Sequence, residues 1–268
     1  MGPTMNYTDI IVERVEGWVE ITINRPEKLN SLREQTAREI LEALAEVEGD
    51  RDVRAVILKG NEKAFCTGID TSEFELKPNE YFDFYRKRKS SRKVNQLFRA
   101  MPGFSKPVIS CVEGYALGGG FELALVGDMI VAGANAKFAL PEIKLGLMPG
   151  GGGTQTMTRL AGVAVTKELI WTGRRITAEE AKGHRLVNHV VEAGGALEKA
   201  RGIAREMCAN APLPIMLTKS VIDRGMDMAL ADGMAAEGDV SFMLYFTDDR
   251  KEGLQAFREK RAAAFKGE

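Results

Sequence analysis

Cysteine and histidine are scarce in this chain, at 3 and 2 of 268 residues. Cys66, Cys111 and Cys208 are odd in number, far apart and without metal-ligand spacing, which argues against a disulfide framework and a cysteine-built metal centre. His184 and His189 have no third ligand candidate near them, so both read as structural or exposed, and neither metal catalysis nor a histidine-based triad has parts to build on. No apolar run approaches the ~18 to 20 residues of a membrane span. The start, Met1-Gly2-Pro3-Thr4-Met5, lacks the charged-then-apolar pattern of a secretory signal, so the expected compartment is the cytoplasm. Neither sign of charge dominates, with 37 Lys plus Arg against 38 Asp plus Glu. Such a chain has no global field to gather nucleic acid or an anionic membrane, and any anionic ligand must be held locally. No Gly-x-Gly-x-x-Gly turn follows the first strand, so no redox dinucleotide is expected.

What is present is an ordinary globular composition, 44% hydrophobic, enough for a sizeable core. Ile10 to Val15 and Trp18 to Ile23 are β-prone runs flanking Glu16-Gly17, a hairpin signal. Arg33 to Val47 carries Ile40, Leu41, Leu44 and Val47 at helical spacing, and Ala55-Val56-Ile57-Leu58 reads as a buried strand. The alternation continues through an amphipathic stretch from Tyr81 to Met101, a strand at Val108 to Val112, a short helix from about Gly120 to Val126 and a strand at Met129 to Ala132. From Ala196 onward the pattern is helical: Ala196 to Asn210, Leu213 to Arg224, Leu230 to Phe246 and Lys251 to Ala264. The spacing predicts an α/β core over residues 1–195 and a helical region for subunit packing over 196–268.

Two acidic residues stand out. Glu122 follows a glycine run, Gly118-Gly119-Gly120, and Glu142 lies among Leu140, Ile143, Leu145 and Leu147. An ionised carboxylate in apolar surroundings is costly, and acid/base chemistry is a reason to keep it there. Glu122 falls in a first helical turn, where the dipole favours the ionised form, whereas desolvation at Glu142 favours the neutral acid. Gly68, in Ala64-Phe65-Cys66-Thr67-Gly68-Ile69-Asp70, and the Gly118 to Gly120 run each allow backbone amides to point at a ligand, and two such N–H groups form an oxyanion hole. The run Gly150 to Gly153 lacks the Gly-Lys-Ser/Thr ending of a phosphate loop and is expected to let the backbone pass close beside Glu142.

These segments, together with Pro141-Glu142-Ile143-Lys144-Leu145-Gly146, Pro149-Gly150-Gly151-Gly152-Gly153-Thr154-Gln155, the early Arg25-Pro26-Glu27-Lys28-Leu29-Asn30 and the late Phe246 to Arg261, resemble the crotonase, or enoyl-CoA hydratase/isomerase, superfamily in order and spacing. The resemblance implies a spiral of ββα units with a helical trimerisation region, assembled as a homotrimer or a homohexamer. It implies hydration of a 2-enoyl-CoA by Glu122 and Glu142, with the amides of Ile69 and Gly119 as the oxyanion hole. Ala64, Cys66, Gly68, Ile69, Asp70, Thr71, Ser72, Leu117 and Gly119 would line the acyl-CoA. Lys28, Leu29 and Lys260 of an adjacent subunit would meet its nucleotide end. No cofactor is implied, since coenzyme A arrives as part of the substrate.

Two features bear on alternatives. Ile69 stands where many family hydratases carry alanine, which narrows the acyl pocket. Tyr81, Phe82, Phe84 and Tyr85 either face an acyl group or form the core side of a helix, and Arg86-Lys87-Arg88-Lys89 reads as a solvated face. The same oxyanion hole would also serve an isomerase, a hydroxyacyl-CoA dehydratase or a thioester hydrolase. An RNA-binding or non-catalytic acyl-CoA-binding role has only the Arg86 to Lys93 patch and the CoA loops behind it.

Overall fold

The computed structural model describes residues 7–74 and 92–268. Strands β1 (Ile10–Val15) and β2 (Trp18–Ile23) form an antiparallel hairpin in which Ile10 faces Ile23 and Val15 faces Trp18. Gly17 turns the chain at φ 89, a conformation that favours glycine. Beyond the hairpin every strand of the larger sheet runs parallel to its neighbour: β3 (Ala55–Lys59), β5 (Val108–Val112), β7 (Met129–Gly133) and β10 (His189–Val191), in the order β1-β2-β3-β5-β7-β10. A second sheet, in the order β4-β6-β8-β9, is built from β4 (Ala64–Cys66), β6 (Tyr115–Leu117), β8 (Lys137–Ala139) and β9 (Ile176–Thr177).

Successive strands therefore alternate between sheets: β3 then β4, β5 then β6, β7 then β8. Each pair is one turn of a spiral, and helices α1 (Glu34–Gly49), α2 (Lys93–Ala100) and α3 (Gly119–Leu125) follow the early turns. β3 and β5 are mostly apolar and buried along almost their whole length because both faces are covered. Val56 and Leu58 point into the cluster shared with Phe65, Phe121 and Phe138, whereas Ala55 and Ile57 point to the opposite face with Ile109 and Val131. Burying each of the larger side chains contributes roughly 1.5 to 3 kcal/mol.

Helices α4 (Gly153–Ala161), α5 (Val163–Thr172) and α6 (Ala178–Gly183) complete the middle of the chain. Helix α7 (Ala196–Cys208) then covers the outer face of the larger sheet. Its Ala196, Ala200 and Ala204 recur every fourth residue and let the helix lie close to β3, β5 and β7. A boundary at residue 195 thus falls at the head of a helix that packs on the sheet. Beyond it, α8 (Pro212–Gly225) and α9 (Leu230–Leu244) bury no residue, and α10 (Asp248–Glu259) buries Asp249 and Ala256. Lys219 anchors α8 to the core through Asp128 at 2.5 Å, and Asp128 in turn accepts from the Val108 N–H. Among the described residues no helix is long and apolar enough to cross a membrane. The aromatic and basic stretch from Tyr81 to Lys89 lies outside the described residues.

Candidate active site

The loop after β4 is held by a two-residue bridge to Leu32. The Leu32 N–H donates to the Gly68 carbonyl and the Asp70 N–H donates to the Leu32 carbonyl, both at 2.7 Å. Since Gly68 and Asp70 spend those groups on Leu32, the N–H of Ile69 between them points to the other side. There it meets the start of α3. A β-carbon placed on Gly119 would lie 3.7 Å from the Ile69 nitrogen, and one on Gly68 would lie 3.5 Å from the Gly119 nitrogen. Gly119 is the first residue of α3, whose leading N–H groups have no acceptor within the helix. Gly68 at φ 106 and Gly118 at φ 53 occupy the left-handed region, and this is what lets the two backbones come together. At Gly120 there is no room at all: a β-carbon would sit 2.0 Å from the Cys66 carbonyl oxygen, so α3 lies directly on β4.

Glu122, in the first turn of α3, is only 2% exposed. One of its oxygens, Oε1, accepts the N–H groups of Gly151 and Gly153, each at 2.8 Å. The amides of the glycine run therefore hold Glu122, a partner that the closeness of the run to Glu142 in sequence did not suggest. Burial pushes the Glu122 carboxyl upward, and the amides of the Gly150 to Gly153 loop pull against that shift. The helix start alone would have held the group down; its desolvation outweighs that pull. Phe98 of α2 walls the same loop, since a β-carbon on Gly151 would lie 2.8 Å from its ring and 2.9 Å from Glu122 Oε2.

Glu142 sits on a 3-10 turn, Pro141–Leu145, and is partly buried. Its Oε1 would be 3.1 Å from a β-carbon on Gly118, and its Oε2 is buried with no hydrogen-bond partner in the protein. Burial first, and the charge of Glu122 second, push its carboxyl up to about 7, against its own backbone N–H. Desolvation at Glu142 is as expected, but of its four apolar neighbours in sequence only Leu140 is buried. Ile143, Leu145 and Leu147 are exposed, Leu145 by 70%, while Gly118 lies against Oε1. The two acids are coupled, and both are displaced in the same direction.

The other expected residues divide. Gly68, Ile69, Leu117 and Gly119 come together around Gly118, which itself lies against Glu142, and Thr71 and Ser72 follow them exposed. Leu29, at φ 47, accepts at its carbonyl from the Thr67 hydroxyl at 3.1 Å, which sets the exposed Lys28–Leu29 turn against the Gly68 loop. Ala64 and Cys66 belong to the interior, and burial pushes the Cys66 thiol up to about 12. Asp70 is committed to a structural pair: its Oδ2 accepts from Arg25 at 2.9 Å and its Oδ1 from the Ser72 hydroxyl at 2.8 Å. Lys260, exposed after α10, touches none of these residues within the chain. Sequence reasoning missed Arg25 as a partner of Asp70 and Phe98 as a wall. The only local sign of the first was an arginine next to the Pro26-Glu27-Lys28 turn.

A cleft of about 1190 Å³, lined in part by Arg14, Trp18, Arg54, Arg205 and Cys208, holds none of the converging groups. Its arginines are engaged, Arg14 with Asp50, Arg54 with the carbonyls of Cys208 and Phe265, and Arg205 with Glu198. Chemistry, and not cleft size, locates the site between the paired amides and the paired acids.

Comparison with known proteins agrees with this geometry. Residues 13–268 match the Enoyl-CoA hydratase/isomerase family. The short-chain-enoyl-CoA hydratase of Clostridium acetobutylicum is 39% identical over 258 residues, 96% of this chain and 97% of that one. The 2,3-dehydroadipyl-CoA hydratase of Escherichia coli is 36% identical over 260 residues, 97% and 99% of the two chains. The crystal structure of an enoyl-CoA hydratase from Bacillus anthracis superposes with a TM-score of 0.91 at 38% identity, covering 97% of this chain and 100% of that one. The chain belongs to the enoyl-CoA hydratase/isomerase family, and its fold is the one that family shares.

Proposed function

We propose that this protein adds water across the C2=C3 bond of a 2-enoyl-CoA to give a 3-hydroxyacyl-CoA. The observation that carries the reading is Glu142 Oε2, buried and unpartnered opposite a Glu122 whose own Oε1 is fixed by two amides. One acid is thus positioned by the protein, while the other keeps an oxygen for a substrate or water. The N–H groups of Ile69 and Gly119 take the thioester oxygen. Water held by the two acids bonds through its oxygen to C3, and one of its protons passes to Glu122. The π electrons move onto the thioester oxygen, where the two amides stabilise the enolate, typically by ~3 to 4 kcal/mol per donor. Glu142 then delivers its proton to C2, and exchange with solvent resets the pair. Water and the enoyl thioester are the only reactants, with coenzyme A entering as part of the substrate.

In this reading Thr71 and Ser72 border the acyl-CoA, the Lys28–Leu29 turn contacts its nucleotide end, and Lys260 reaches that end from an adjacent subunit of a homotrimer or a homohexamer. The exposed apolar residues of the C-terminal helices support such an assembly. Three unpaired cysteines accord with a reducing compartment such as the cytoplasm. The two relatives act, by their names, on a short-chain and on a dehydroadipyl thioester, so the family fold leaves chain structure open. Ile69, leaning on Gly119, is the residue here that narrows the acyl end.

The test is loss of the enoyl-thioester absorbance of crotonyl-CoA. Wild-type protein is expected to hydrate it, and Glu122→Gln and Glu142→Gln each to lose ~10²-fold or more in kcat. Unchanged turnover in either variant would remove that acid from the mechanism. A wild type inert to crotonyl-CoA and to a panel of branched, cyclic and dicarboxylic enoyl-CoAs would overturn the hydratase reading.

A further inference from the structure

Arg25 is charged and deep in the protein, its side chain 8% exposed, yet it sits in the loop after β2 and touches neither acid. Such a group is costly to bury unless its donors are all used. Here the guanidinium is held across one junction. Nη2 donates to Asp70 Oδ2 at 2.9 Å, and Nη1 donates to the carbonyl of Ser31 at 2.5 Å. Nε lies 3.8 Å from Asp9 Oδ2, on a carboxylate that Arg33 and Thr36 also hold. The backbone of Arg25 is fixed as well, with its N–H donating to Asn30 Oδ1 and its carbonyl accepting from the Asn30 N–H, both at 2.9 Å.

The two groups gripped by the guanidinium matter by their positions. Ser31 immediately precedes Leu32, and Asp70 immediately follows Ile69. Leu32 and Ile69 are the two residues of the isolated parallel bridge that directs the Ile69 N–H toward Gly119. Arg25 therefore ties together the two chain segments at the bridge, from outside it. A bridge of two hydrogen bonds leaves a loop free to rotate; a bidentate, planar cation anchored on both sides removes that freedom.

We propose that Arg25, acting through Asp70 and Ser31, is a positioning residue that aims the Ile69 N–H at the thioester oxygen. This rests on the reading that the Ile69 and Gly119 amides form the oxyanion hole. The brace acts on the direction of one donor and not on substrate capture, so its loss lowers kcat more than it changes KM. It also weakens polarisation of the bound carbonyl, which a merely structural role would not do.

The experiment compares wild type with Arg25→Lys, Arg25→Met and Asp70→Asn. The probe is 4-dimethylaminocinnamoyl-CoA, a conjugated thioester whose absorption moves to the red when its carbonyl is polarised. Crotonyl-CoA turnover and a thermal melt are measured on the same samples. Wild type is expected to shift the probe. The variants are expected to bind it within about 3-fold of wild type, to lose much of the shift and to lose about 10-fold or more in kcat, less than the ~10² to 10³ of deleting a donor outright. Arg25→Lys, which keeps the charge without the fork, is expected to retain more of the shift than Arg25→Met. If Arg25→Met does not fold, the lysine and asparagine variants carry the comparison. Folded variants with the full red shift overturn the proposal, whatever their melting temperatures. A wild type that hydrates crotonyl-CoA without shifting the probe overturns the oxyanion assignment and the brace with it. A wild type inert to crotonyl-CoA whose shift still falls in the variants sustains the brace and overturns only the choice of substrate.

Discussion

A carboxyl raised by burial to about 7 is a proton donor at neutral pH and a burden on the fold above it. The unfolded chain releases the Glu142 proton near 4.5, whereas the folded chain keeps it to about 7. Between those values the folded state binds more protons, so stability from this group is full below pH 4.5 and lost as pH rises through 7. Glu142→Gln, neutral throughout, is expected to melt higher than wild type at pH 8 and to show little gain at pH 5, as a pair of thermal scans would show. In the proposed mechanism the same proton goes to C2, so kcat/KM for hydration should fall above about pH 7 in a stopped-flow pH profile. Asp70 has the opposite sign. The Ser72 hydroxyl and the Arg25 guanidinium hold it down to about 2, so its contribution is complete above its ordinary range and lost only in strong acid.

At the scale of elements, the contact between α3 and β4 sets how the site closes. Gly120→Ala places a methyl 2.0 Å from the Cys66 carbonyl, and backbone on both sides leaves nothing to swing away. A loss of about 2 to 4 kcal/mol is expected in urea unfolding. Gly202→Ala in α7, with nothing within 4 Å of the new methyl, should instead stabilise by about 0.5 to 1 kcal/mol. The elements differ in how far the sequence announced them. The hairpin, α1 and α7 were legible from the spacing of their apolar residues, and β3 and β5 as short, mostly apolar runs that bury both faces. β4, β6 and β8, at three residues each, are shorter than any period can mark, although they carry the loops of the site. Local motifs singled out the two glutamates and the glycine turns that bring the Ile69 and Gly119 backbones together. The bonding of the glycine run to Glu122 was not legible because it spans 29 and 31 residues of chain. Arg25 and Asp70 are 45 residues apart, and an arginine beside a turn says nothing of which carboxylate it will meet.

At the scale of the whole molecule, the helical end of the chain is unfinished by itself. Leu230 is 80% exposed, Phe246 71% and Phe257 84%, on and between two helices that bury almost nothing against their own core. Contiguous apolar surface of this kind marks an association face. Sedimentation is expected to give three or six times the 29.4 kDa chain mass. The double variant Leu230→Glu with Phe246→Glu should shift the boundary toward single chains, and a wild type that sediments as a monomer would refute the assembly. The spiral has a further consequence. Ile69 follows the second-sheet strand of one turn, Gly119 and Glu122 follow that of the next, and Glu142 and the Gly151–Gly153 loop follow that of the third. No turn holds a working set of groups, so turnover is a readout of how three consecutive layers are stacked. On the proposed mechanism, a chain whose third layer has come loose would keep both donors and lose its chemistry.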